Sequence, residues 1–151
     1  MSAVTFRGLS RPRDRACAVP SSSSGCAPSI FRWTSAGVID FDNSARKTSA
    51  TEELSFQNSR LHVPQGAYLV QFNEIVATLL DATGEVFVRS SSFRSGAVVT
   101  AGLIDAGYHG SLGAVLQVLN PHGVHLHQNA RLAQIVFREM NGEVEGSSSV
   151  Y

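Results

Sequence analysis

From Gly37 to residue 140, no stretch keeps apolar residues at the i, i+3, i+4, i+7 spacing of an amphipathic helix. Short runs rich in β-branched, aromatic and aliphatic residues occur instead, at 61–63, 68–72, 74–80, 86–88, 97–100, 112–119, 124–127 and 132–137. Turn-forming residues separate several of them: Pro64-Gln65-Gly66, Asp81-Ala82-Thr83-Gly84 and Asn120-Pro121-His122-Gly123. Punctuation of this kind predicts an all-β sandwich, barrel or jelly roll. The 151 residues are 43% hydrophobic, enough for one domain with a real core and too few for two domains of ordinary size. No internal repeat is evident, and a charged fraction of 16% excludes a coiled coil.

Charge is balanced overall but not along the chain. The 12 Lys+Arg and 12 Asp+Glu cancel, which argues against a general nucleic-acid or membrane-surface binder. Within residues 1–36, Arg7, Arg11, Arg13, Arg15 and Arg32 face only Asp14, a net of +4, and the rest of the chain carries −4. That segment also holds Pro12, Pro20, Pro28 and the serine run at 21–24, with no sustained periodicity. Residues 1–36 therefore read as a flexible arm, 37–140 as the β domain and 141–151 as a mobile polar tail. The Arg-rich, acid-poor arm also fits an organelle transit peptide, although no amphipathic Arg face is visible in it. Two cysteines, Cys17 and Cys26, cannot staple a secreted mini-protein, so a reducing, cytoplasmic setting is the default expectation. No apolar run reaches the ~18 residues that a membrane helix needs.

Four clusters carry candidate chemistry. Gly37-Val38-Ile39-Asp40-Phe41-Asp42 sets two carboxylates on one face of an extended segment, where they suit a hard cation or its waters, or serve as a solubilising loop with an Asx turn at Asn43. Val88-Arg89-Ser90-Ser91-Ser92-Phe93-Arg94-Ser95-Gly96 mixes guanidinium forks with hydroxyls, good for phosphate oxygens or equally a polar surface turn. Ala101-Gly102-Leu103-Ile104-Asp105-Ala106-Gly107-Tyr108-His109-Gly110 projects one carboxylate and one aromatic ring from a glycine-rich frame. Asp105 there suits orienting a water, and Tyr108 suits stacking on a sugar or base. Ala130-Arg131-Leu132-Ala133-Gln134-Ile135-Val136-Phe137 places Gln134 among apolar neighbours, where a buried amide must find partners. His125 and His127 alternate along one strand, with His122 nearby. Without an adjacent Cys or carboxylate pair they read as solvent-facing rather than metal-ligating.

In this order the clusters resemble the first four motifs of the trimeric dUTPase and dCTP deaminase superfamily. Gly102-Leu103-Ile104-Asp105-Ala106-Gly107-Tyr108-His109-Gly110 is similar to G-[VLI]-I-D-x-x-Y-x-G. Arg89-Ser90-Ser91 resembles P-R-S-[SG], with Val88 in place of the proline. Arg131-Leu132-Ala133-Gln134-Ile135 resembles R-[IL]-A-Q-[LIM], and Gly37-Val38-Ile39-Asp40 a weaker A-G-x-D-[LF]. The resemblance implies a jelly-roll-like β-barrel that assembles as a homotrimer with active sites at subunit interfaces. It implies that dUTP is the substrate and Mg²⁺ the cofactor. Asp105 then positions the water that attacks the α-phosphorus, and Tyr108 packs on the deoxyribose. Arg89, Ser90, Ser91 and Gln134 hold the phosphates, Gly102 and Ile104 belong to the same substrate-binding frame, and Asp40 reaches the metal through water. Alternatives are a non-catalytic nucleotide sensor on the same fold and a dCTP deaminase. Deamination needs a glutamate on the strand after the third motif, and the best match, Leu116-Gln117-Val118, offers a neutral glutamine. The zinc signature H-x-E with P-C-x-x-C is absent. The family's fifth, glycine-rich motif has no clean counterpart. Gly146-Ser147-Ser148-Ser149-Val150-Tyr151 resembles a shorter G-x-x-Y tail.

Overall fold

The computed structural model describes the backbone of Val4–Arg7 and Ala16–Pro20 and all atoms of residues 28–145. The elements run β1 Val4–Arg7, β2 Ala16–Pro20, β3 Ser29–Trp33, β4 Thr51–Leu54, β5 Arg60–Val63, β6 Gly66–Thr78 and β7 Ala82–Val88. There follow the one-turn helix α1 Ser90–Arg94, then β8 Ala97–Thr100, β9 Leu103–Ile104, β10 His109–Val118, β11 Val124–His127 and β12 Ala133–Glu139. The chain is all-β, as predicted. One sheet has the order β4-β3-β6-β10-β8, a second β1-β12-β7-β9, and β5 pairs with β11 in a third.

The 13-residue strand β6 organises the larger sheet. Its inward row alternates in step with the pleat: Tyr68, Val70, Phe72, Glu74, Val76 and Thr78 are all buried. β10 pairs antiparallel along one edge. The other edge takes two strands end to end, β3 against residues 69–71 and β2 against residues 74–78. Ile30, Val63, Val70, Val76, Leu116 and Ile135 are completely enclosed where the sheets meet. Apolar area removed from water there is the main force holding the sheets together.

The structure moves several predicted boundaries. Residues 68–72 and 74–80, predicted as two runs, merge into β6, which ends at Thr78 and runs on through the partly buried Asn73 although the pairing with β10 shifts register there, between Gln71 opposite Gly113 and Ile75 opposite Ser111. The turn expected over 81–84 lies earlier: Ala82 N–H bonds Leu79 O at 3.2 Å, and Gly84 sits inside β7. A Cβ on Gly84 would stand 3.0 Å from Ile104 Cδ1 and 3.2 Å from the Phe137 ring, so this glycine serves close packing rather than a turn. The flexible arm cannot extend to residue 36, because β3 lies within it and pairs both β4 and β6, with Ile30 in the core. β1 and β2 also pair, with β12 and β6. In the expected mobile tail, Val144 N–H bonds Leu80 O at 3.0 Å. The tail motif 146–151, with Tyr151, lies outside the described residues.

Candidate active site

The chain passes from one sheet to the other at two neighbouring corners. β9 belongs to the sheet of β7, with Gly84 opposite Ile104, whereas β10 belongs to the sheet of β6. The four residues Asp105-Ala106-Gly107-Tyr108 make that crossing as a tight turn, closed by Tyr108 N–H to Asp105 O at 3.2 Å. Gly107 has φ +72°, the left-handed value that a type II turn needs at its third position. The second corner is the end of β6. There Thr78, 8% exposed, ties the turn down: its hydroxyl donates to Asp105 O at 2.6 Å and accepts from Tyr108 N–H at 2.8 Å. Thr78 N–H donates to Tyr108 O at 2.9 Å, and Gly107 N–H to Leu79 O at 3.2 Å. The Asp105 and Tyr108 side chains thus project from a backbone fixed on both sides.

Tyr108 is held in its turn. Its hydroxyl donates to Ser111 O at 2.5 Å. The ring lies over Gly110, where a Cβ would meet the Tyr108 hydroxyl oxygen at 2.9 Å and Cζ at 3.2 Å. Gly110→Ala is therefore expected to push the ring off Ser111. It should lower stability by about 1–3 kcal/mol. Adding Tyr108→Phe, which deletes the clashing oxygen, should make the double variant's loss smaller than the sum of the single losses, measured by denaturant unfolding of all four proteins.

Asp105, Tyr108, Gly102 and Ile104 line one cavity of about 360 Å³, together with Val86 and residues 111–113. The Asp105 carboxylate is partly exposed and has no hydrogen bond or ion pair among the described residues. A carboxylate so placed is open to accept a hydrogen bond from a bound water.

The arginine–serine cluster and the Arg131–Gln134 cluster come together elsewhere, at the far end of β7. Ala133 pairs with Val88 and Gln134 with Phe87. Arg89 N–H donates to Leu132 O at 3.3 Å, and the buried Ser92 hydroxyl to the same carbonyl at 3.0 Å. Ser90 and Ser91 open α1 and are exposed. The Arg89 guanidinium has no ion pair among the described residues. Gln134 is only partly buried. It alternates with the enclosed Ala133 and Ile135 and so lies on the outer face of β12. Its amide needs no internal partner, contrary to the burial argument from sequence.

Asp40 lies in the loop of residues 34–50, pinched by the Val38–Lys47 bridge. The segment is bent rather than extended, so the two carboxylates are not set by strand alternation. Asp40 Oδ2 accepts from Ala45 N–H at 2.5 Å and from the Ser44 hydroxyl at 3.4 Å. The Asx-type contact forms at Asp42, from Ser44 N–H at 3.1 Å, rather than at Asn43. The Ser44 hydroxyl and amide together hold the Asp42 carboxyl below the usual aspartate range. No group of three or more His, Cys, Asp or Glu side chains suited to a metal occurs among the described residues. Also among them, no helix is long and apolar enough to cross a membrane.

The corner hairpin bearing Asp105 and Tyr108, set on these sheets, defines a jelly-roll protein of the dUTPase and dCTP deaminase type. The chain belongs to the dCTP deaminase-like family, whose model matches residues 26–140. It is 43% identical over 118 residues to a probable deoxyuridine 5'-triphosphate nucleotidohydrolase of Methanosarcina mazei, covering 77% of this chain and 69% of that protein. A deoxyuridine 5'-triphosphate nucleotidohydrolase of Methanocaldococcus jannaschii is 34% identical over 122 residues, covering 78% and 77%. Among solved structures, the 2'-deoxycytidine 5'-triphosphate deaminase of Agrobacterium tumefaciens superposes with a TM-score of 0.56 at 18% identity, covering 83% of this chain and 44% of that one. The dUTPase of Staphylococcus bacteriophage 80alpha, with dUPNHPP, gives 0.52 at 17%, covering 91% and 90%. These two likenesses are of fold.

Sequence reasoning missed Thr78 and underused Ser92. Both act through a hydroxyl on a carbonyl some 30 to 40 positions away, which no local pattern encodes.

Proposed function

We propose that the chain hydrolyses dUTP to dUMP and diphosphate. The carrying observation is that Asp105 and Tyr108 together line a cavity of about 360 Å³, within the size range of small-ligand sites. Water oxygen bonds to the α-phosphorus as the bond from that phosphorus to the bridging oxygen breaks. Diphosphate leaves with the bond's electrons, and the water's proton passes toward Asp105. An ordinary aspartate is a weak base, so alignment by the Thr78-anchored turn supplies much of the effect. Tyr108 presents a fixed ring to the deoxyribose. Arg89 offers a guanidinium fork, and Ser90, Ser91 and Gln134 neutral donors, to the phosphates.

The names of the archaeal relatives support this reading over deamination. So does β10. From His109 to Val118 it carries no acidic residue, so neither Gln117 nor a register two residues earlier supplies the glutamate. Gln117 also lies four residues beyond Gly113, the last β10 residue to line the cavity.

Within one chain the Asp105 cavity, the Arg89–Gln134 patch and the Asp40 loop are separate, so we assign the complete site to the interface of a homotrimer. Ile39 and Phe41, which flank Asp40, are 96% and 105% exposed, an apolar pair suited to cover by another copy. Asp40 offers Mg²⁺ a hard oxygen donor: Oδ1 is buried with no hydrogen-bond partner, while Oδ2 is held by the Ala45 N–H and the Ser44 hydroxyl. Mg²⁺ bound with the triphosphate supplies charge neutralisation on the phosphate oxygens. Asp40→Ala is expected to raise the Mg²⁺ concentration needed for half-maximal turnover by about tenfold, read from diphosphate release across a Mg²⁺ titration.

The test of the function is a product assay with Mg²⁺ and dUTP, dCTP, dTTP or UTP, following diphosphate and ammonia separately. Diphosphate from dUTP alone is expected. Ammonia from dCTP would restore the deaminase, and binding without product would leave the sensor.

A further inference from the structure

The two-stranded ladder of β5 and β11 brings His62 opposite His125. Their rings lie 4.7 Å apart at an interplanar angle of 38°, and both side chains are exposed. The sequence pattern pointed to His125 and His127 along one strand, whereas the ladder shows that His125's ring partner is His62, more than sixty positions away.

His62 is held in place. Its Nε2 lies 3.2 Å from His122 O. A carbonyl only accepts, so Nε2 is the donor, and in the neutral ring that tautomer leaves the lone pair on Nδ1. The turn that sets His122 is firm: His122 N–H donates to Asn120 Oδ1 at 3.0 Å and Gly123 N–H to Asn120 O at 2.9 Å. Gly123, with φ +72°, lies so close that a Cβ would stand 2.6 Å from His62 Nε2. An imidazole that gives one N–H to a backbone carbonyl and keeps the other nitrogen open has the outer-shell arrangement common to metal-bound histidines. A second imidazole, His125, at contact distance on the adjacent strand supplies another ring nitrogen.

We propose that His62 and His125 form a two-nitrogen site for a borderline divalent transition ion, Cu²⁺, Ni²⁺ or Zn²⁺, with water completing the coordination. Imidazole nitrogens favour such ions over hard ones, so the site is chemically distinct from the oxygen-lined Asp40 loop. No third His, Cys, Asp or Glu joins the pair among the described residues, so it is an open surface site rather than a closed structural one. The inference does not depend on the proposed hydrolysis.

The experiment titrates Cu²⁺, Ni²⁺ and Zn²⁺ separately into the full chain by calorimetry. The background is Cys17→Ser/Cys26→Ser, which keeps thiolates from competing, and circular dichroism checks the fold of each variant. One ion per chain is expected, with the order of affinity Cu²⁺ above Ni²⁺ and Zn²⁺. His62→Ala and His125→Ala should each weaken binding by about tenfold or more. His127→Ala should leave it unchanged. So should His122→Ala, because residue 122 acts through its backbone carbonyl. Undiminished affinity in His62→Ala, loss confined to His127→Ala or His122→Ala, or no binding by the parent protein would each overturn the assignment.

Discussion

Asp105→Asn is expected to reduce dUTP hydrolysis by about 10²–10⁴-fold, the range that a positioned general base contributes. The amide keeps the shape of the side chain and removes its ability to take a proton. Because the Asp105 contacts that shape the turn run through its backbone carbonyl, to Thr78 and to Tyr108 N–H, the turn should persist. Nucleotide affinity should therefore change little, since relief of carboxylate–phosphate repulsion offsets any lost contact. Single-turnover rates with dUTP, set beside affinities for a non-hydrolysable analogue, separate the two effects. Unchanged turnover would remove Asp105 from the mechanism.

Thr78→Val should produce the second large effect without touching the nucleotide. Valine matches threonine in shape, so the packing of β6 is kept while three hydrogen-bonding contacts of the hydroxyl vanish, to Asp105 O, Tyr108 O and Tyr108 N–H. The site is buried, and leaving such groups short of partners costs about 1–3 kcal/mol. For a chain of this size, each kcal/mol lowers the melting temperature by roughly 2–4 °C. The turn bearing Asp105 should loosen, so kcat should fall by more than the nucleotide affinity. Thr78→Ser restores the hydroxyl and should recover most of the rate. A purely structural role would lower the melting temperature and spare kcat in the folded protein.

What was legible in the sequence follows from what each feature depends on. β8 and β11 lie at their predicted positions, because the short β-rich run 97–100 is set off by Gly96 and Gly102 and the alternation of 124–127 begins straight after the turn ending at Gly123. β3 was hidden by its surroundings: the serine- and proline-rich composition upstream masked a strand whose one fully buried side chain is Ile30. β9 has only two residues, too few to show any period, and exists because it pairs with Gly84 and Glu85. In the site, Asp105 and Tyr108 were legible because turn chemistry and reactive groups fall within one short motif. Thr78, Ser92 and His62 were not, since each gains its place only when a distant strand is brought alongside.

The order of strands in the smaller sheet bears on how this chain reaches its native state. One of its two interior strands, β12, is the last in sequence among the described residues, yet it bridges β7 and β1, with Phe6 aligned to Ile135. Until β12 emerges from the ribosome, β7 has no partner on that edge and β1 has none at all within the sheet. Closure of this half is therefore a late step over a long loop, which predicts slow folding from high contact order and a window of chaperone dependence during synthesis.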